Sequence, residues 1–440
     1  AAPNVEAPFD LMGGFWSPYS LRAIRFTDRR GGELVVGQLR SFFTEPWNPF
    51  NNWLFDQLVL RNVVDGSVWI HPHTGKFTKL RSDFRVETAG PDGTLDVPED
   101  AIKPVVVGAE PGQVAWVKVG PGVKAVSRIV WTIPKGYWHY SIVLGVDRGN
   151  VKMSVADVLY GIAWRFLMVN SSSKTHDPGA IEPGLQIFVE KLVALKVEDA
   201  GDNIIVHMWV NYWHPDPTFI VQYFGPTPSY PWELWYLMET SVALDRLAWV
   251  VETAQAKNIQ PLDLAKGPAL EVLKKTLDEI KGSVPDALRG VVSDAEVRAR
   301  WDALDKWYSR MGHFFVSNGP YYIERVDTAA NQVVLAAFRD YPFDVQTTYA
   351  ALYKPRVPDI QVLDVISTAP VGLPITATLG ATLGGEPYND VDVKFQVFDA
   401  AGNLVYSGSG ERLGGGRFRL EIPADVTRKL KPGVYTLSIV

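Results

Sequence analysis

Hydrophobic positions along the chain follow two periods, and the period changes several times. Between residues 83 and 133 apolar and polar side chains alternate, as in DFRVET, VAWVKV and SRIVWTI, which predicts strands of a half-buried sheet. Between residues 231 and 308 apolar side chains recur every three or four positions, which predicts helices. After residue 355 short alternating segments return, separated by glycine-rich turns. The pattern therefore predicts an α+β domain followed by a small β-sandwich.

Two helix starts carry recognisable capping residues. Ser154 is followed three residues later by Asp157, and Ser293 is followed at the same spacing by Glu296. A further helix is predicted near residues 184–195, and the segment PWELWYLMETSVALDRLAWVVETAQAK, residues 231–257, is predicted to be helical. The helix that begins after Ser154 is apolar on more than one side, so we expect it to be buried.

Composition shifts suggest three regions in the 440 residues. Residues 1–31 form an irregular N-terminal segment, and residues 32–354 form the α+β domain, beginning with a short strand at residues 32–39. Residues 355–440 form a sandwich whose strand spacing is typical of immunoglobulin-like modules. The chain begins Ala1-Ala2-Pro3 without methionine, which we interpret as a processed or trimmed end.

Charge and cysteine content exclude several classes of function. A formal charge of -6 with no basic stripe argues against a nucleic-acid partner. The absence of cysteine excludes disulfides, thiolate metal sites and a catalytic cysteine. No run of 18 or more apolar residues is present, which argues against an integral membrane protein.

Motifs with a known catalytic mechanism are missing from the sequence. The seven histidines are scattered, and the closest pair, His71-Pro72-His73, lacks a third ligand in its neighbourhood. His214 precedes Pro215 and Asp216 without a nucleophile nearby. Nucleotide-binding loops and the G-x-S-x-G elbow are also absent. We therefore predict that the protein is not an enzyme and that it uses no cofactor or metal.

Aromatic residues are abundant and several lie in proline-containing loops. The chain has 15 Trp, 17 Tyr and 20 Phe, and the loops SFFTEPWNPFNNW and NYWHPDPTF concentrate them. Rings with a polar tip suit surfaces that hold varied ligands, although most rings in proteins serve the core. The sequon at Asn170 predicts a glycosylation site if the chain is extracellular.

Five segments in order resemble one known family. They are GGELVVGQL with NPFNNWLFDQLVLRNVVDGSV; TGKFTKLRSDFRVE; SRIVWTIPKGYWH with VKMSVADVLYGIAWRF; VEKLVALKVEDAGDNIIVHMWVNYW; and NGPYYIERVDTAANQVVLAAFRDYPF. Together, over residues 32–343, they resemble the family 5 extracellular solute-binding proteins of ABC importers, the oligopeptide- and dipeptide-binding class. The segment NYWHPDPTFIVQYFGPTPSYPWELWYLME is particularly similar to large archaeal members. After residue 343 the chain passes almost directly into the sandwich, so the resemblance implies one lobe of a two-lobed receptor, on a partial chain.

The resemblance implies a fold like one lobe of the type II periplasmic binding proteins, at the cell surface. It implies a peptide or similar extended solute as ligand and an ABC permease in the membrane as partner. The expected ligand-binding residues are Trp47, Asn48, Asn51, Trp53, Trp213, Asp216, Asn318 and Tyr321. For each of them the alternative is a structural role, in the core, a turn or a loop cap.

The alternative function is a cell-surface structural or filament-forming protein that reuses the same fold. In that case the sandwich mediates self-association, because an exposed edge strand such as the final GVYTLSIV pairs with a strand of a neighbour. The missing second lobe favours this alternative, and the retained family segments favour the receptor.

Overall fold

Helices and strands are mixed along the chain, and nearly all strand pairs are antiparallel. The computed structural model describes residues 32–33, 35–37, 43–71, 75–343 and 357–439. These residues divide into two compact units, one ending at residue 343 and one beginning at residue 357. The predicted N-terminal segment lies outside the described residues. Of the strand predicted at residues 32–39, the described residues form no regular element.

Seven helices of the described chain belong to the first unit and one short helix to the second. They are α1 Leu54–Val63, α2 Val155–Val169, α3 Pro183–Lys191, α4 Trp232–Ala243, α5 Val251–Lys257, α6 Ala269–Ile280, α7 Asp294–Met311 and, in the second unit, α8 Ala424–Thr427.

The first unit contains fourteen strands in its described residues. They are β1 Val68–Ile70, β2 Phe77–Lys79, β3 Asp83–Thr88, β4 Leu95–Asp96, β5 Ile102–Val106, β6 Val114–Lys118, β7 Lys124–Ala125, β8 Ser127–Pro134, β9 Leu192–Ala200, β10 Asn203–Val210, β11 Leu247–Ala248, β12 Gln260–Pro261, β13 Tyr321–Asp327 and β14 Gln332–Ala337. Six of them form an antiparallel sheet in the order β3-β8-β10-β9-β5-β6.

Strict alternation on β8 explains how this sheet separates core from surface. Ile129, Trp131 and Ile133 are fully buried, whereas the residues between them are half-buried. The neighbouring strand β10 places Val206 opposite Trp131, so both strands send large apolar groups to the same side. One face of the sheet therefore builds the main core, and the other face carries polar groups.

Both predicted helix starts are confirmed by their hydrogen bonds. The Ser154 amide donates to the Asp157 carboxylate at 2.8 Å in front of α2. The Ser293 hydroxyl accepts from the Glu296 amide at 3.1 Å in front of α7. These bonds satisfy amides that a helix leaves unpaired at its first turn.

Two helix predictions are wrong in extent. The predicted helix over residues 231–257 breaks at Asp245, whose φ of 53° is left-handed, and the following β11 pairs in parallel with β12. The predicted helix at residues 184–195 ends at Lys191, because Leu192 to Leu195 already pair with β10. In both cases sheet pairing with distant residues outweighs local helix propensity.

The second unit consists of two antiparallel sheets with a shared core. Its strands are β15 Asp359–Val365, β16 Ile375–Leu383, β17 Glu386–Pro387, β18 Lys394–Phe398, β19 Leu404–Ser409, β20 Glu411–Gly414, β21 Arg417–Ile422 and β22 Thr436–Ile439. One sheet has the order β15-β16-β21-β20, with β17 on β16, and the other has the order β19-β18-β22. Buried side chains of β16, β18 and β21 form a single cluster.

Candidate functional site

Asn318, which precedes the Gly-Pro-Tyr turn, joins three distant segments of the first unit. Its side chain is fully buried; Oδ1 accepts from the Asp65 amide at 2.8 Å, and Nδ2 donates to the Pro228 carbonyl at 2.9 Å. Its own carbonyl accepts from Arg81 Nη1 at 3.1 Å. The amide is therefore fully engaged by protein groups, and the ligand contact expected of it stays a prediction.

Gly319 is required next to Asn318 because the chain passes very close to helix α1. A Cβ at this position would lie 2.5 Å from the Val63 carbonyl carbon, nearer than side chains approach backbone. The Gly319 amide donates to the Val63 carbonyl at 2.9 Å. The turn at Gly319 therefore packs directly against the C-terminal end of α1, just before strand β13 begins.

The first predicted pocket loop is also an internal anchor. Trp47 is fully buried and packs edge-on against Phe315. Asn48 Nδ2 donates to the carbonyls of Trp249 and Leu262 at 3.0 and 2.8 Å. These bonds fix the loop against the chain on either side of α5.

The remaining two residues of that loop lie at the start of α1. Asn51 donates to the Asp56 carboxylate at 3.1 Å and accepts from Gln57 Nε2 at 3.2 Å. Trp53 is the residue before α1, half-buried, with its ring 5.6 Å from that of Phe55. The side chain of Asn51 therefore stabilises the helix start, and the predicted ligand contacts of both residues stay predictions.

The proline-rich loop after β10 is the most exposed of the predicted ligand-binding segments. Trp213 has 37% of its surface exposed. Asp216 caps a short helical turn by accepting from the Thr218 amide at 2.9 Å, and it faces Lys76 at 3.4 Å. Tyr321 is half-buried at the start of β13. The side-chain hydrogen bonds of Asn48, Asn51, Asp216 and Asn318 thus anchor four separate places in the chain.

The predicted glycosylation site lies at the end of α2. Asn170 is half-buried, and its Oδ1 accepts from the Ser172 amide at 2.9 Å. Glycosylation at Asn170 stays a prediction.

A buried ionic network, which the sequence did not reveal, joins α2, α4 and α7. Arg300 Nε donates to Glu233 at 3.0 Å, and another nitrogen of the same guanidinium binds Asp157. The Tyr140 hydroxyl donates to Glu233 at 2.8 Å. Burial raises the pKa of Glu233 despite the opposing effect of Arg300. The network holds the helices together, because charges removed from water need partners.

A second buried carboxyl group, Glu239, lies one and a half turns further along α4. The Tyr160 hydroxyl donates to Glu239, and both side chains are buried. Burial raises the pKa of Glu239 to about 8, although the tyrosine bond lowers it. Glu233 and Glu239 were detectable in the sequence as charged residues within the apolar segment PWELWYLME.

Two buried histidines have structural positions. His139 Nε2 lies 3.0 Å from the Gly319 carbonyl, while its Nδ1 accepts from the Ser317 amide. His313 Nε2 likewise lies 3.1 Å from the Ile323 carbonyl oxygen. Burial lowers their pKa values to about 3 and about 4, so both rings are neutral. Of the predicted pair His71 and His73, the latter lies outside the described residues.

The polar face of the six-stranded sheet carries an open cleft of about 320 Å³. We call it the outer-face cleft; its lining includes Glu87, Arg128, Lys196, Glu198, His207 and Trp209. Strand pairing brings these residues together, since Arg128 on β8 lies opposite both Glu87 on β3 and Trp209 on β10. It combines charged groups of both signs with an aromatic ring. Arg128, His207 and Trp209 were missed by sequence reasoning, because their proximity depends on strand register.

No protein-family model and no curated protein matches the chain. Within the part of the chain that the structure describes, no three His, Cys, Asp or Glu residues are grouped as a metal site would require. No helix among the same residues has the length and apolar character needed to cross a membrane.

Proposed function

We propose that the chain is the extracellular solute-binding component of an ABC import system, which binds peptides and delivers them to a membrane permease. On this proposal the first unit is a lobe of the type II periplasmic-binding-protein kind, and the second is an immunoglobulin-like module. These assignments go beyond the observed features with which they are compatible, namely helices mixed with antiparallel sheets and a strand-rich C-terminal region.

The single observation that carries the proposal is the junction at Asn318. Asp65, Arg81 and Pro228 all bond to this residue, and each lies in a different segment that resembles the solute-binding family. A solute-binding lobe requires these segments to pack together in one folded unit. Their convergence supports a common folded lobe.

The loop that contains Trp213 offers the ring best placed to meet a ligand. Its exposure is high for a tryptophan, and the loop is fixed by Asp216 rather than by the indole. An indole supplies a large contact area with little loss of conformational entropy, which suits ligands of varied sequence. Replacing Trp213 leaves the hydrogen bonds of Asp216 in this loop intact.

A peptide-binding assay tests the proposal. The purified chain is incubated with a defined peptide mixture, separated by size exclusion, and the retained peptides are identified by mass spectrometry. We expect retained peptides, and we expect Trp213→Ala to weaken their binding. Leu144→Ala is the matched control, because Leu144 is a large apolar residue that is 85% exposed. A chain that retains no peptide contradicts the proposal.

The second candidate function, a cell-surface structural protein, is favoured by the edges of the second unit. Strand β15 lies at the end of its sheet, and all seven of its residues are exposed. Strand β22, in the segment predicted to pair with a neighbour, is also an edge strand. Unpaired edges are templates for strand addition.

Sedimentation velocity over a range of concentrations separates the two functions. A structural protein forms large assemblies that Val362→Pro disrupts, because proline removes an amide from β15. Val434→Pro is the control, since Val434 is 83% exposed and lies outside the strands. Monomers at every concentration exclude the structural function.

A further inference from the structure

The outer-face cleft presents hydrogen-bond donors that converge from two strands. Arg128 Nη2 donates to His207 Nδ1 at 2.8 Å. Because a guanidinium only donates, Nδ1 must be the acceptor, and the neutral imidazole carries its hydrogen on Nε2. Burial and the neighbouring Arg128 lower the pKa of His207, in keeping with this neutral form. The histidine therefore offers an N–H to the cleft.

Arg128 itself is incompletely paired. Its Nη1 has only a distant ionic contact, 3.7 Å from Glu87, and 32% of the side chain is exposed. Its Nε is buried and, within the described residues, has no hydrogen-bond partner. The guanidinium carbon lies over the Trp209 ring, 5.4 Å from its centre, and this cation–π contact helps to hold the side chain in place. Unmet donors on a fixed cation are unusual in folded proteins and call for an explanation.

Carboxylates surround these donors at the rim of the cleft. Glu87 and Glu198 are 61% and 58% exposed, and Glu198 lies 3.8 Å from His207 Nε2. Lys196 also lines the cleft, but its ammonium already binds Asp100 at 2.8 Å. The cleft therefore has a cationic centre and an anionic rim. A ligand with one negative and one positive end complements this arrangement, whereas a simple anion would meet the rim unfavourably.

We infer that the outer-face cleft binds a small zwitterion, a free amino acid or a short peptide, with its carboxylate on Arg128 and His207 and its ammonium on Glu87 or Glu198. The volume of about 320 Å³ is at the lower end of small-molecule sites, which suits a ligand of one to three residues. The inference deepens the proposed function and rests on it, because the choice of peptides as the ligand class comes from that proposal.

Isothermal titration calorimetry with alanyl-alanine as the probe tests the inference. We expect the wild-type chain to bind the dipeptide and to bind its C-terminal amide and its N-acetyl form more weakly. Arg128→Gln should weaken dipeptide binding about tenfold or more, because a charge-assisted hydrogen bond is lost, and should leave the weak amide binding unchanged. Arg128→Lys keeps the charge but not the planar pair of donors. Its affinity for the dipeptide should lie between those of wild type and Arg128→Gln.

Arg419→Gln is the matched control, because Arg419 is a partly exposed arginine of the second unit that is paired with Glu421 at 2.9 Å. Tryptophan fluorescence of each variant verifies that the first unit is folded. Equal dipeptide affinity of wild type and Arg128→Gln overturns the inference, as does a wild-type chain that ignores the dipeptide.

The inference and the proposed function fail separately. In one outcome the wild-type chain retains peptides from the mixture, but Arg128→Gln binds the dipeptide with unchanged affinity. This outcome supports the receptor and overturns the cleft assignment. Dipeptide binding that depends on Arg128, in a chain that retains no longer peptide, supports the cleft assignment and contradicts a receptor for extended peptides.

Discussion

Replacing Glu239 by glutamine should change how the stability of the first unit depends on pH. The folded protein holds this carboxyl with a pKa of about 8, whereas an unfolded chain gives it about 4.3. Between these values the folded state keeps a proton that the unfolded state has lost. The free energy of unfolding contributed by Glu239 is therefore largest below pH 4 and is lost as the pH rises to 8.

The size of the effect follows from the same two pKa values. A full proton difference changes the free energy of unfolding by about 1.4 kcal/mol per pH unit. Glutamine cannot ionise, and its oxygen still accepts from the Tyr160 hydroxyl. Glu239→Gln should therefore gain stability relative to wild type by about 3 kcal/mol between pH 5 and pH 7.

Urea titrations followed by tryptophan fluorescence measure this difference. All 15 tryptophans precede residue 308, so the signal reports on the first unit alone. Other titrating groups are common to both proteins and cancel in the comparison. Glu421→Gln is the control, because Glu421 is exposed in the second unit, and it should leave the signal unchanged at both pH values. If the difference in unfolding free energy between wild type and Glu239→Gln stays constant from pH 5 to pH 7, the reasoning is refuted.

Three further substitutions follow from the packing and should be measured by the same urea titration. Asn318→Ala leaves the buried Asp65 amide without its acceptor and should cost about 3 kcal/mol; a loss below about 1 kcal/mol would contradict its role as an anchor. Arg300→Met leaves two buried carboxylates without their cation and should cost about 3–5 kcal/mol, and an unchanged midpoint would show that the network is dispensable. Ser293→Ala removes the cap of α7 and should cost about 1 kcal/mol, whereas Ser293→Asp should retain stability.

Features determined by neighbouring residues were predictable from the sequence. The starts of α2 and α7 depend on side chains three residues apart, and alternation along SRIVWTI identified β8. Each of these features depends on residues that are close together in the sequence.

Features determined by distant residues were not predictable. The break at Asp245 depends on the pairing of β11 with β12, and the partners of Glu233 include Arg300, 67 positions away. The sequence identified Asn318 as part of a turn, but not the three segments that it binds. The outer-face cleft arises only once β8 and β10 pair in register, because a shift of one residue would turn Arg128 toward the core.

The bond between Asn318 and Asp65 has a consequence for how the chain is made. The two residues are 253 positions apart, so the bond that anchors the chain after α1 cannot form until Asn318 has been synthesised. Until then, aromatic groups such as Trp47 lack Phe315 and other late partners. Contacts of such long separation slow folding and leave apolar surface open to aggregation. We therefore expect the apolar surface around Trp47 to stay exposed during synthesis until the segment with Phe315 and Asn318 is available to cover it.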